Sequence, residues 1–222
     1  MSYKVQVAKL FFRREDSMFQ INKAEAITHL WKRISLFLLL SMLVYGFTAW
    51  KGLGMTPFSA QATSWSFATY ETMKLFFLSG RVLYGLFFAL IILFYTPFFY
   101  WLFTGISYKK LMTVQLNVLF VLLLERLTWV AFVQYLGLEW YVSPFSFGVI
   151  ASYLTDMEWL IYFGGAASLF QIWVMWLQSK ALFLFSSIKK WKLVVMVVLL
   201  HLFYWAAAAS LTYYDVELLS FL

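Results

Sequence analysis

Residues 119–133 read LFVLLLERLTWVAFV, an apolar run interrupted at its centre by the adjacent charges Glu125 and Arg126. The run extends from Leu111 to Leu136. As an α-helix it would be about 39 Å long at about 1.5 Å per residue, against a hydrocarbon core of roughly 30 Å. It must tilt, protrude or break, and Glu125-Arg126 is where a break would fall. Unpaired charges in hydrocarbon cost several kcal/mol, so the pair is expected to face the interior of a bundle.

The rest of the chain places that run in a membrane. Of 222 residues, 64% are hydrophobic and 12% are charged, and the mean hydropathy is +0.80. Soluble domains are about half apolar and a quarter charged, so this composition cannot cover a water-facing surface. The fold class is therefore all-α, a polytopic membrane helix bundle, because open sheet edges cannot face lipid. Five spans are predicted, at about 34–50, 82–104, 111–136, 159–178 and 193–213, with four or six as alternatives. The first apolar run begins at Ile34, behind a mixed polar stretch, so the first span is expected to stay in the mature protein.

The charges sort by loop. With the N-terminus in the cytoplasm, the inner segments hold Lys4, Lys9, Arg13, Arg14, Lys23, Lys32, Arg33, Lys109, Lys110, Lys180, Lys189, Lys190 and Lys192. The positive-inside bias thus predicts a cell-membrane protein with its C-terminus outside. It also accounts for most of the net charge of +7 and argues against nucleic acid as a partner. Residues 1–33 alternate apolar and basic clusters, the pattern of an amphipathic segment lying on anionic headgroups, with His29 an interfacial side chain. Membrane lipids are thus expected partners. Two outer loops, 51–81 and 137–158, are rich in aromatics and are expected to form short interfacial helices.

Asn117, Gln115, Glu125, Arg126 and Thr128 point in most directions around the third span at about 100° per residue, which makes it the most enclosed helix. Gly164, Ser168, Gln171 and Gln178 follow one stripe of the fourth span. Small residues there allow close backbone approach, and the amides can bond a charge across helices. On the fifth span His201, Trp205 and Ala208 share a face, and Ala206 and Ser210 form a small-xxx-small packing pair. Pro97 is expected to kink the second span. Asn117, Glu125, Arg126, Gln171, Gln178 and His201 form either a structural hydrogen-bond network or a proton or ion relay.

Enzyme signatures are missing. The sequence has no HExxH, GxxxxGK or GxSxG and no cysteine, its two histidines are far apart, and Glu125 is the lone acid in a predicted span. A non-enzymatic protein without cofactor or metal is expected.

The stretches GISYKKLMTVQLNVLFVLLLERL (105–127) and GGAASLFQIWVMWLQSKALFLFSSIKKWKLVVMVV (164–198) carry a further pattern. The first is a short polar turn followed by Lys-x-Leu at the start of the third span. The second is a small-residue start, the aromatic-x-Ile-Trp element of Phe170, Ile172 and Trp173, and a Lys-rich turn into the fifth span. Together with five spans and a cytoplasmic N-terminus, this resembles the Yip (Ypt-interacting protein) family of small membrane proteins over residues 80–213. Eukaryotic members are associated with small GTPases of vesicle traffic, but their Asp-Leu-Tyr-Gly-Pro motif has no counterpart here. The resemblance therefore implies a bacterial-type member, an accessory or assembly factor for another membrane complex such as an ABC-type exporter. A transport component with a polar intramembrane path is the alternative reading. A membrane-shaping or lipid-handling protein is a third, and self-association is open in each.

Overall fold

In the computed structural model, residues 2–5, 14–55 and 65–220 are described. The Lys9 and Arg13 portion of the expected amphipathic segment, and residues 56–64 of the first outer loop, lie outside them. The chain is an all-α bundle of apolar helices. Helix α1 is Arg14–Lys23, α2 is Leu30–Trp50 and α3 is Phe67–Leu90. A π-helical turn, Ile91–Tyr95, continues α3 into α4, Thr96–Thr104. Next come α5, Tyr108–Leu136, the short α6, Gly148–Leu154, and α7, Glu158–Ala166. The last two are α8, Leu169–Phe185, and α9, Lys190–Ser220. Among the described residues four stretches are long and apolar enough to cross a membrane: α2, the continuous α3–α4 stretch, α5 and the Lys190–Tyr214 part of α9.

Helix α5 is the enclosed one. From Leu111 to Leu123 nearly every side chain is buried, including Thr113, Gln115 and Asn117. It runs unbroken through Glu125 and Arg126, so its 29 residues are accommodated without a break there. The interruption falls in the predicted fourth span instead, where Ala167 and Ser168 are extended and separate α7 from α8. The local sequence GGAAS supplies little side-chain packing to hold a helix, and two glycines in succession weaken it further. The shared stripe expected for Gly164, Ser168, Gln171 and Gln178 is corrected accordingly, because Gly164 lies on α7 and both glutamines lie on α8 beyond the break.

The segment expected as an outer loop over 51–81 is another correction. Ser66 caps a helix by accepting the Thr69 amide at 3.2 Å, and residues from Phe67 onward are the first turns of α3. Helix α3 packs closely against α2 at Gly85, where a Cβ would meet Tyr45 Cβ at 2.8 Å and the Ser41 carbonyl at 2.9 Å. Ser41 Oγ donates to the Gly85 carbonyl at 2.7 Å across this contact. A small residue lets two backbones approach, and a hydroxyl then fastens them.

The described part of the N-terminus packs against the bundle. Strand β1, Ser2–Lys4, pairs in parallel with β2, Ala26–Thr28, and α1 forms the crossover between them. Tyr3, Val5, Met18, Ile21 and Ala24 share one apolar cluster with Met112, Val114, Leu177 and Ala181 of α5 and α8. Lys110 Nζ donates to the Asn22 carbonyl at 2.6 Å and pins this cap to the start of α5. His29, exposed, adopts a left-handed conformation (φ 63°) at the turn from β2 into α2.

Candidate functional site at the interrupted span

Ser168 is the pivot of the break. Its Oγ accepts the Gln171 amide at 3.1 Å, capping α8, and donates to Glu125 Oε1 of α5. Glu125, 5% exposed, therefore faces the N-terminus of α8, where unpaired amides and the helix dipole favour negative charge. Breaking the fourth span is what creates that helix end inside the bundle.

The other side of the break is closed by backbone. After α5 the chain makes a 3-10 turn at Trp140–Val142 and returns through a second turn over 143–147 before α6. The Phe147 amide donates to the Ala167 carbonyl and the Leu169 amide to the Phe145 carbonyl, both at 2.9 Å, as an antiparallel bridge across Ser146 and Ser168. Irregular backbone among apolar helices is tolerated where protein covers it, and here the returning segment supplies the cover. Glycines make the fit possible. A Cβ on Gly148 would lie 1.7 Å from the Tyr141 carbonyl oxygen, and one on Gly165 would lie 2.6 Å from Tyr141 Cα.

Arg126 turns to a different neighbour. Its Nε donates to Thr48 Oγ1 of α2 at 3.4 Å, and its guanidinium lies over the rings of Tyr45 (4.6 Å) and Trp129 (5.0 Å). Thr48 and Ser168 are both almost fully buried, so each charge meets its partner in the interior. The two adjacent charges thus hold α5 against α8 on one side and α2 on another.

The remaining polar residues form separate groups. Tyr100 of α4 donates to Gln178 Oε1 at 2.8 Å, and Gln178 Nε2 donates to Gln115 Oε1 at 3.1 Å, joining α4, α8 and α5. Asn117 is buried on α5. His201 of α9 is 3% exposed, lies beside Tyr204 and Trp205, and has no hydrogen-bond partner on either ring nitrogen among the described residues. Ser210 accepts Trp159 Nε1 of α7 at 3.0 Å, and Ala206, half-buried, lies one turn before it on α9. Pro97 sits in the first turn of α4, just after the π-helical turn.

The structure therefore brings Glu125, Ser168 and Gln171 together, links Gln178 to a second group, and leaves Arg126 and His201 outside both. Thr48, Tyr45, Gln115, Tyr100 and the 145–147 backbone were not among the sequence-predicted site residues. The usable signals were a threonine inside the first span, and Gly148 facing the Gly164-Gly165 pair. Among the described residues no cluster of three or more His, Asp or Glu is placed to hold a metal. In comparison with known proteins, the chain matches no family model, no curated protein and no solved structure.

Proposed function

We propose that the chain is a non-enzymatic, Yip-like membrane protein that serves as an accessory or assembly factor for another membrane complex, such as an ABC-type exporter. The observation that carries this reading is how the intramembrane charges are used. Glu125 and Arg126 are both committed to partners that fix helix positions, and the aromatic and aliphatic groups left over face outward. Phe87, Ile91, Phe98, Trp101 and Leu102 of the α3–α4 stretch, with Leu199 and Phe203 of α9, are exposed along the outside of the bundle. Such faces suit contact with lipid or with the spans of a larger complex. The protein sits in the cell membrane with the β1–α1–β2 cap in the cytoplasm, on the side where the lysines cluster.

Mild-detergent affinity purification from native membranes, with mass spectrometry of what co-purifies, tests this directly. A stoichiometric membrane complex supports the accessory role. A partner-free protein under conditions that keep known complexes intact would sink it.

A second reading, a transport component, is favoured by one observation. A helix broken at membrane depth, with a carboxylate at the break and a returning segment beside it, is the kind of architecture transporters use for ion sites. Reconstituted ion flux that depends on pH in the wild type and vanishes in Glu125→Gln, at equal protein level and stability, would support it. Equal flux in the two proteins and in empty liposomes would end it.

A further inference from the structure

Where α2 and α5 begin, a cavity of about 210 Å³ is lined by Ile27, His29, Leu30, Trp31, Lys32 and Lys109. Two lysines and a histidine, from parts of the chain about 80 residues apart, thus line one opening that no acidic side chain among the described residues lines. The neighbouring Lys110 is already committed to the Asn22 carbonyl, so the basic character of the cavity rests on Lys32, Lys109 and His29.

The surroundings of the cavity are those of a membrane surface. Trp31 is 62% exposed and stacks on Phe94 of the π-helical turn at 6.3 Å. Tryptophan concentrates at headgroup depth, and lysine stems reach from apolar surface to a polar head. Beyond Trp31, the outward side of α2 carries Leu36, Leu39 and Leu43, all about half exposed or more. Spacings of three and four place them on one stripe. A basic cavity that continues into an exposed apolar stripe matches an amphiphile with a negative head and an acyl tail.

We propose that this cavity holds the phosphate of an anionic phospholipid, with Lys32, Lys109 and His29 around the headgroup and an acyl chain along Leu36, Leu39 and Leu43. The ligand chemistry is a phosphate mono- or dianion. The apolar stripe selects a lipid over free phosphate, because inorganic phosphate has nothing to lay there.

The purified full chain in neutral detergent is titrated with phosphatidylglycerol, phosphatidylcholine and inorganic phosphate, and followed by thermal shift and native mass spectrometry. Phosphatidylglycerol is expected to bind saturably and raise the melting temperature, with phosphatidylcholine and inorganic phosphate much weaker. The Lys32→Gln/Lys109→Gln double variant should lose about tenfold or more in phosphatidylglycerol affinity, the scale expected for two lysines at an anionic lipid surface. Lys180→Gln/Lys192→Gln, which removes the same charge elsewhere, should bind as the wild type does. Because both lysines are exposed, the melting temperature without lipid checks that the Gln pair still folds. A Lys32→Arg/Lys109→Arg pair keeps the charge and should keep the affinity. Equal affinity in the Gln double variant and the wild type, or equal loss in both Gln pairs, overturns the site. Inorganic phosphate that matches the lipid at the same concentration overturns the lipid and assigns the cavity to a free anion.

Discussion

Two helices of this bundle depart from regular geometry, and they are repaired with different chemistry. In the α3–α4 stretch the chain stays helical throughout, passing through one π-helical turn before Pro97. There the local carbonyls are met by neutral hydroxyls. Thr96 Oγ1 donates to the Ile91 carbonyl at 3.3 Å, and Tyr108 OH donates to the Phe94 carbonyl at 3.0 Å. Thr96 Oγ1 also meets Tyr204 OH of α9 at 2.9 Å. Between α7 and α8 the helix stops outright, and the repair takes a serine cap, a buried carboxylate and two backbone bonds from another segment. A π-helical turn displaces a few hydrogen bonds, whereas a break opens a helix end with amides that have no intrahelical partner. The size of the interruption sets the charge needed to close it.

The break should therefore be far more sensitive than the bend. Glu125→Leu removes the acceptor of the buried Ser168 hydroxyl and leaves that donor in a dry interior, at a cost of about 4 kcal/mol. A large drop in melting temperature and in membrane abundance is expected. Glu125→Gln keeps an acceptor and should cost about 1 kcal/mol. If both variants melted like the wild type, the carboxylate would not be what holds α8.

Gly148→Ala tests the returning segment without removing a polar group. Its methyl would collide with the Tyr141 carbonyl, so α6 must shift away from the 140–142 turn, at about 3 kcal/mol. The chain has no cysteine, so Ser152→Cys gives a single labelling site on exposed α6. Faster proteolysis of the 137–158 region and altered labelling of that introduced thiol are expected on adding Gly148→Ala. Gly164→Ala, with its nearest contact at 3.0 Å to another Cβ, should do much less.

The sequence was legible where hydrophobicity alone decides the outcome. Long apolar runs make helices in lipid because nothing else satisfies the backbone, and the all-α fold follows from composition. The enclosure of α5 was also readable, since Gln115, Asn117 and Glu125 point in different directions around it. The position of the break was not. A 26-residue run with a charge pair looks more strained than GGAAS within a span of ordinary length, yet the first stays helical and the second does not. What decides it is the 145–147 segment docking at Ala167–Leu169, a non-local pairing that no local pattern encodes. The N-terminal cap was missed for the same reason, because β1 pairs with β2 across the intervening α1. Partners such as Thr48 for Arg126 depend on helix-to-helix register, which periodicity leaves free.

Arg126→Lys probes the second half of the charge pair. Lysine keeps the charge but loses the planar stacking on Tyr45 and Trp129 and the Nε bond to Thr48. A cost of about 2 kcal/mol is expected, read as a lower melting temperature that Thr48→Ala worsens little once Arg126 is gone. Full additivity of the two substitutions would mean that the guanidinium and Thr48 act independently.

The smallest effect belongs to the bend, and it is the sharpest test of the contrast between the two interruptions. Tyr108→Phe removes one hydroxyl donor from the Phe94 carbonyl while keeping the ring that packs against the core cluster. The Phe94 carbonyl lies within a stretch that is helical on both sides, so it loses a supplementary bond and not its only cover. The cost should be about 1 kcal/mol, at the level of one neutral hydrogen bond. A melting temperature close to the wild type, with Thr96→Val adding a comparable small decrement, would show that neutral hydroxyls tune the bend and do not hold it. A loss as large as that of Glu125→Leu would reverse the argument, because a π-helical turn would then need its partners as badly as a broken helix needs its carboxylate.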